Sequence, residues 1–257
     1  QLIKNADYPS FGKPTRMGFA PDMKRLQNEA TALAGLAYYG DVQFPEEYHQ
    51  SFFIGDVVAS RVYRNSYMNK GSTPIGKKES DFIKSKDPWF RPVDVKLGPD
   101  GALYIADFYN SIIGHYEVPL DDPHRDRIRG RIWRITYKGQ HNEIKDWTAA
   151  SINELLAALD LKNISVRMTA MDQLSDRIGM QAIKPLKALL KKNSTSPIAY
   201  VHALWVLHRL NSLPAKLIIS SAKNADPLIR LHTMRILLEQ QTNEQNYQMV
   251  LHAVKDQ

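Results

Sequence analysis

The chain of 257 residues contains no cysteine. That absence excludes disulfides, thiolate metal ligands, a thiol nucleophile and any c-type haem attached covalently to this chain. It does not choose a compartment, because a cysteine-free chain suits the periplasm and the cytosol alike. No apolar run approaches the roughly 20 residues that span a bilayer, so no transmembrane segment is expected. A Ser-His-Asp order, a phosphate-binding Gly-rich loop and an HExxH pair are lacking too. The chain opens at Gln1 with no signal-peptide pattern, and the expectation is a mature or excised piece of something longer.

A concentrated block of one charge is also missing. The formal charge is +7, but cations and acids are mixed throughout. Up to residue 140 there are 20 basic and 17 acidic residues, and after it 14 and 10. Asp121-Asp122-Pro123-His124-Arg125-Asp126-Arg127 shows the interleaving. No stripe tracks a phosphate backbone, so no nucleic-acid partner is expected. With 43% hydrophobic and 24% charged residues, the composition is that of a globular protein long enough for two domains, each with its own core.

The first half carries a period of two. Val93, Val95 and Leu97 alternate with Asp94 and Lys96, the pattern of a strand with one buried face. Gly98-Pro99-Asp100-Gly101 is a tight turn in which Pro presets one backbone angle and Gly accepts a positive φ. Ala102 to Asp107 runs back, Ser111 to His115 is expected as a third strand, and Arg129 to Tyr137 as a fourth. An earlier unit has expected strands at Ala30 to Tyr38, Ser51 to Asp56, Arg61 to Tyr67 and, after the loop Asn69 to Gly76, Asp81 to Lys84. Phe44 to Tyr48 reads as a short helical turn, and residues 1 to 28 as loops with an outer strand.

The fold this predicts for residues 1–140 is a partial β-propeller of about two blades plus a remnant. Propellers close with about four to eight blades, and two alone would leave strand edges in water. The missing blades are therefore expected upstream or on another polypeptide.

After Tyr137 the period becomes 3.6. The segments NISVRMTAMDQL (163–174), SPIAYVHALWVL (196–207) and DPLIRLHTMRIL (226–237) repeat one another at spacings of 33 and 30 residues. Each opens on an N-capping Asn, Ser or Asp, followed by Pro in the last two. Second helices are expected at Met180 to Lys191, Pro214 to Ala222 and Asn243 to Val254. For residues 141–257 the expectation is an all-α solenoid of HEAT-like repeats.

The run RPVDVKLGPDGALYIADFYN, followed by IIGH and DPHRDRIRGRIWRIT, resembles the membrane-bound or periplasmic dehydrogenase-like propellers related to glucose/sorbosone dehydrogenases. That family is common in Planctomycetes, Verrucomicrobia and Bacteroidetes, and the resemblance covers roughly residues 25 to 140. It implies a propeller followed by HEAT repeats, a periplasmic or secreted location, and oxidation of a sugar or alcohol. Electrons would pass to a c-type haem on a missing domain or on a partner cytochrome c. The alternative is a non-enzymatic interaction scaffold that binds a protein partner or a glycan.

Hairpin logic gathers candidate site residues at one end of the strands. Trp89, Arg91, Asp107, Tyr109 and Asn110 combine a cation, a carboxylate, an amide and aromatic surface, a set suited to a polar small molecule such as a sugar. Each also has a purely structural reading. Asp107 and Asn110 are turn formers, Arg91 could pair with Asp94 or Asp107, and Trp89 and Tyr109 could simply pack. The resemblance implies pyrroloquinoline quinone held by basic residues, with a His base. Arg91 falls where one such arginine would sit, but Val93 replaces a second and Val57-Val58-Ala59 offers no lysine. The catalytic His would belong to an earlier part of the protein. No cofactor is therefore expected within this chain, and no catalysis from it alone. His115, Asp121, Asp122, His124 and Asp126 could together hold a cation, yet their spacing fits no established loop and neighbouring arginines can neutralise them. No metal is expected, and His202, His208 and His232 read as core or surface histidines.

Overall fold

The computed structural model describes residues 32–70, 73–114, 118–140, 142–240 and 248. Two compact units divide the chain, residues 1–143 and 144–257. Expectations for residues 1 to 28, and for the helix Asn243 to Val254 apart from residue 248, lie outside the described residues.

The first unit holds two antiparallel sheets. In one, β1 (Leu33–Tyr38), β2 (Ser51–Asp56), β3 (Arg61–Lys70) and β4 (Thr73–Lys78) lie side by side in that order. The short β5 (Ile83–Lys84) pairs with the start of β3. The other sheet is β6 (Pro92–Leu97), β7 (Leu103–Asp107) and β8 (Arg131–Ile135). The period of two does what it predicts along β7, where Leu103, Ile105 and Asp107 are buried and the residues between are partly exposed. Phe53, Val62, Val95, Leu103 and Ile105 are fully buried in the core of this unit, each contributing about 2 kcal/mol by burial. Gly35 and Gly55 let the backbones of β1 and β2 approach that of β6 directly.

The Gly98–Gly101 turn is built into this core. Tyr39 Oη donates to the Gly101 carbonyl at 3.1 Å, and Gln43 Nε2 to the Asp100 carbonyl at 2.7 Å. The buried Asp100 carboxylate accepts Arg134 Nη2 from β8 at 2.5 Å. Burial opposes ionisation of Asp100, but the Arg134 hydrogen bond and those of Ala102 and Tyr104 hold its carboxyl below the usual range.

The propeller expectation is overturned. Neither sheet closes, and the described residues form no blades, only a five-stranded and a three-stranded sheet. Residues 111–114 form no strand. The carbonyls of Asn110 and Ser111 accept from the Arg91 guanidinium instead of a ladder partner. β8 then takes the edge of β7 that the third strand was to occupy. In the first sheet the loop expected over Asn69 to Gly76 gives way to strand: β3 runs to Lys70 and Thr73–Lys78 is edge strand β4, a position where Pro74 costs no needed ladder bond.

The second unit is helical: α1 (Ile152–Ala158), α2 (Ile164–Asp172), α3 (Ile183–Leu190), α4 (Pro197–Arg209), α5 (Ala215–Ala222) and α6 (Pro227–Glu239). Asn163, Ser196 and Asp226 cap α2, α4 and α6, each accepting a backbone N–H with its side chain. Ser151 and Glu154 form a capping box on α1. Leu155, Ala170, Leu174, Leu186, Ala203, Leu207 and Ile236 are the centre of the core. The HEAT-solenoid expectation is overturned as well. Among the described residues the helices are few, and α2 runs into a π-turn (Gln173–Ile178) ended by Gly179 at φ +59°. Repetition of a capped helix sets local structure, but a solenoid needs many stacked pairs to propagate.

One contact in this unit makes stability depend on pH. Arg167 Nε donates to His202 Nε2 at 3.1 Å, and His202 Nδ1 lies 2.7 Å from Met171 Sδ. Burial, then the Arg167 and His232 charges, push the His202 pKa down to about 4 from 6.5. The unfolded chain thus binds a proton there before the folded one does. The stabilisation is complete above pH 6.5 and lost as pH falls through about 4. Partial solvent screening reduces it to about 2 kcal/mol. Chemical denaturation followed by far-UV circular dichroism should show that loss between pH 7.5 and 4. His202→Gln, which can accept from Arg167 at any pH, should flatten the slope, leaving the part due to His232, whose pKa burial also lowers. An unchanged slope in the variant would refute this assignment.

Candidate functional site

The five sequence-nominated residues come together at the end of the second sheet where β6 begins and β7 ends. Three are used by the framework. Arg91 is only 9% exposed. Its Nε donates to the Asn110 carbonyl at 2.9 Å, Nη1 to those of Val57 at 2.9 Å and Val58 at 3.3 Å, and Nη2 to that of Ser111 at 3.3 Å. Its rigid fork staples the β2–β3 turn to the segment after β7. Burial lowers its pKa, against the pull of Asp107 and Asp87, and an arginine so placed stays charged.

Asp107, at the end of β7, is 3% exposed. Its Oδ1 accepts the backbone N–H groups of Arg91 at 2.8 Å and Tyr109 at 2.9 Å, and Oδ2 accepts Trp133 Nε1 at 3.0 Å. Asp56 does the same at the end of β2. It accepts Val58 N at 3.1 Å, Ala59 N at 2.8 Å and Tyr63 Oη at 3.0 Å. Burial, then the Asp56 hydrogen bond and charge, push Tyr63 up to about 12. A buried aspartate capping the turn after a strand is thus used once in each sheet. Asn110 is also spent. Its Oδ1 accepts Ile112 N at 3.1 Å, and its Nδ2 donates to the Asp126 carbonyl at 2.6 Å.

Trp89 and Tyr109 are different. Both are half-buried and their ring centroids lie 5.5 Å apart at 49°. Tyr109 has φ +46°, the left-handed region that a residue with a bulky side chain rarely adopts. The Arg131 guanidinium carbon lies 3.6 Å from the centroid of its ring, and that of Arg129 lies 5.8 Å from the Trp89 centroid. An open groove of about 680 Å³ runs from Trp89 along residues 121–129. The Asn110–Asp126 bond draws that loop alongside Trp89. Within it Arg125 donates to the carbonyls of Pro119, Gly114 and Val118, and Arg127 to that of Leu120. Backbone N–H groups of His124 and Ile128 hold Asp122 and Asp126 below the usual carboxylate range. Among the described residues no three His, Asp or Glu side chains converge as a metal site.

Arg129 and Arg131 were not singled out as site residues from sequence. Their alternation with Trp133 along one strand was the available signal. Quinone binding does not fit this arrangement. The guanidinium that would meet it is turned into backbone carbonyls, and the exposed Val93 carries no charge.

Residues 6–139 match a family described as Domain of unknown function (DUF7133). The chain belongs to the DUF7133 family. Parts of this DUF7133 protein are similar to solved sugar dehydrogenases. The soluble aldose sugar dehydrogenase of Escherichia coli in its apo form is 29% identical over 29% of this chain and 20% of that one, with a TM-score of 0.24. Two glucose dehydrogenases are each 23% identical over 41% of this chain. They are covered over 25% and 24% of their own lengths, with TM-scores of 0.27 and 0.28. The matched part of the DUF7133 protein spans no more than a quarter of those enzymes. Comparison with curated proteins found no match.

Proposed function

We propose that this chain is a non-catalytic, saccharide-holding part of a sugar dehydrogenase-like protein, acting in the periplasm or outside the cell. The dehydrogenase relationship is supported by the RPVDVKLGPDGALYIADFYN motif. The single observation carrying the saccharide reading is how the site residues divide. Arg91, Asp107 and Asn110 are consumed by internal hydrogen bonds, while Trp89 and Arg129 line an open groove and Tyr109, with Arg131 on its ring, lies beside Trp89. Aromatic faces stack on the C–H faces of sugar rings, and guanidinium N–H groups donate to ring oxygens and hydroxyls. The strain at Tyr109 supports the same reading. A left-handed non-glycine residue costs of order 1 kcal/mol, and a glycine would make this turn without it.

Calorimetric titration of the purified chain with oligosaccharides should give binding that Trp89→Ala weakens about 10-fold. Tyr109→Gly should weaken binding similarly while leaving stability unchanged or slightly raised, a split that a packing role would not produce. Undiminished binding in both variants would overturn the assignment of the surface. Dye reduction by the chain given a sugar, pyrroloquinoline quinone and calcium would overturn its non-catalytic character.

A further inference from the structure

The two arginines of this surface differ from the others around them. Arg91, Arg125, Arg127 and Arg134 all donate to carbonyls or to a carboxylate within the fold. Arg129 and Arg131 hydrogen-bond through their side chains to no acceptor among the described residues. Arg129 Nε stands 3.3 Å from Asp126 Oδ2, and Arg131 Nε 4.0 Å from Asp107 Oδ2. Asp107 is already occupied by three donors. Asp126 Oδ1 caps the backbone of Ile128 and Arg129. Of the groove's remaining carboxylates, Asp122 holds His124 at 2.9 Å, which leaves Asp121.

Both guanidinium groups lie over aromatic rings, and Arg131 is also 5.6 Å from the Trp133 ring. A guanidinium stacked on a ring keeps its N–H groups pointing sideways in its own plane. That geometry matches a planar carboxylate with two parallel hydrogen bonds. Two cations two residues apart, beside an aromatic pair and with carboxylates at 3.3 and 4.0 Å to which their side chains make no hydrogen bond, thus form a surface able to take a further anion.

Resting on the saccharide reading above, we propose that the ligand is an acidic saccharide. A hexuronate carboxylate is held by Arg131, with Arg129 beside it, while the sugar ring lies against Trp89 and Tyr109. A sulfate ester would offer similar charge in tetrahedral rather than planar form, and the Arg131 fork favours the planar group.

The test is calorimetric titration of the full chain with oligogalacturonate, the same oligomer fully methyl-esterified, a neutral glucan and a sulfated glycan. Oligogalacturonate should bind at least about 10-fold more tightly than its ester. That preference should vanish in Arg131→Gln and shrink in Arg129→Gln. It should also fade as salt rises to about 0.5 M, where charges are screened within a few ångströms. Trp89→Ala should weaken acid and ester alike. Equal affinity for acid and ester, or an acid preference that survives Arg131→Gln, overturns the acidic assignment and leaves the saccharide reading standing. Tighter binding of the sulfated glycan overturns the carboxylate. Binding of none of the four overturns both readings.

Discussion

Gly55→Ala should cost the strand-rich unit about 3 kcal/mol or more, through overpacking that no side chain can relieve. A Cβ on Gly55 would stand 2.3 Å from the Pro92 carbonyl oxygen, 2.9 Å from that of Ala34 and 3.1 Å from the Pro92 carbonyl carbon. All three are backbone atoms, so β2 and β6 must separate to admit a methyl group. Gly35 makes the matching approach from β1. Its Cβ would fall 2.5 Å from Asp94 Cα, and its φ of +64° adds backbone strain. It is the bulged residue between the Ala34 and Leu36 pairings, unmatched on β2. Gly139 is the control. It has φ +72° but nothing within 4 Å of a Cβ, so Gly139→Ala should cost only about 1 kcal/mol for its conformation. Urea midpoints for Gly35→Ala, Gly55→Ala and Gly139→Ala separate the effects. Equal losses for Gly55→Ala and Gly139→Ala would mean that the two sheets do not meet backbone to backbone.

The glycine contact shows why local pattern stopped short of the fold. Alternation in 93–97 and the Gly-Pro-Asp-Gly turn located β6, β7 and their hairpin, because both signals act over a few residues. The helix starts at Asn163, Ser196 and Asp226 were legible for the same reason, a side chain capping an N–H two or three residues on. What joins strands into sheets is settled across the chain. Whether 111–114 could be a strand depended on Arg91, some 20 residues earlier, drawing off the carbonyls of Asn110 and Ser111. The count of strands and helices read from repetition therefore suggested a larger architecture than the described residues form. The candidate site was half legible in the same sense. Its residue types and their clustering followed from hairpin connectivity. Which of them face inward depended on carbonyls at Val57 and Val58 that no motif near Arg91 announces.

Asp107→Ala is the substitution expected to damage the site most. It strands three donors at once: the backbone N–H groups of Arg91 and Tyr109 and the indole N–H of Trp133. It also removes the buried charge beside the Arg91 and Arg131 guanidinium groups. Unsatisfied buried donors and an uncompensated buried cation together should cost about 4 kcal/mol. Asp107→Asn should cost about half as much, roughly 2 kcal/mol. Its amide oxygen can still serve Arg91 and Tyr109, but its NH2 group then faces the Trp133 donor. Trp133→Phe in the Asn background removes that donor conflict, so the double variant should be more stable than the sum of its parts, by an amount a double-mutant cycle reads directly. Strict additivity would mean that the Trp133 bond does not exist in solution. Saccharide binding should follow the same order. Tyr109 N–H bonds to Asp107 Oδ1, and without that acceptor only the flanking bonds of Phe108 N to the Arg91 carbonyl and Asn110 N to the Trp89 carbonyl hold the turn in which Tyr109 has φ +46°. Its ring would leave Arg131, and the surface would lose its stacking face and its oriented cation together.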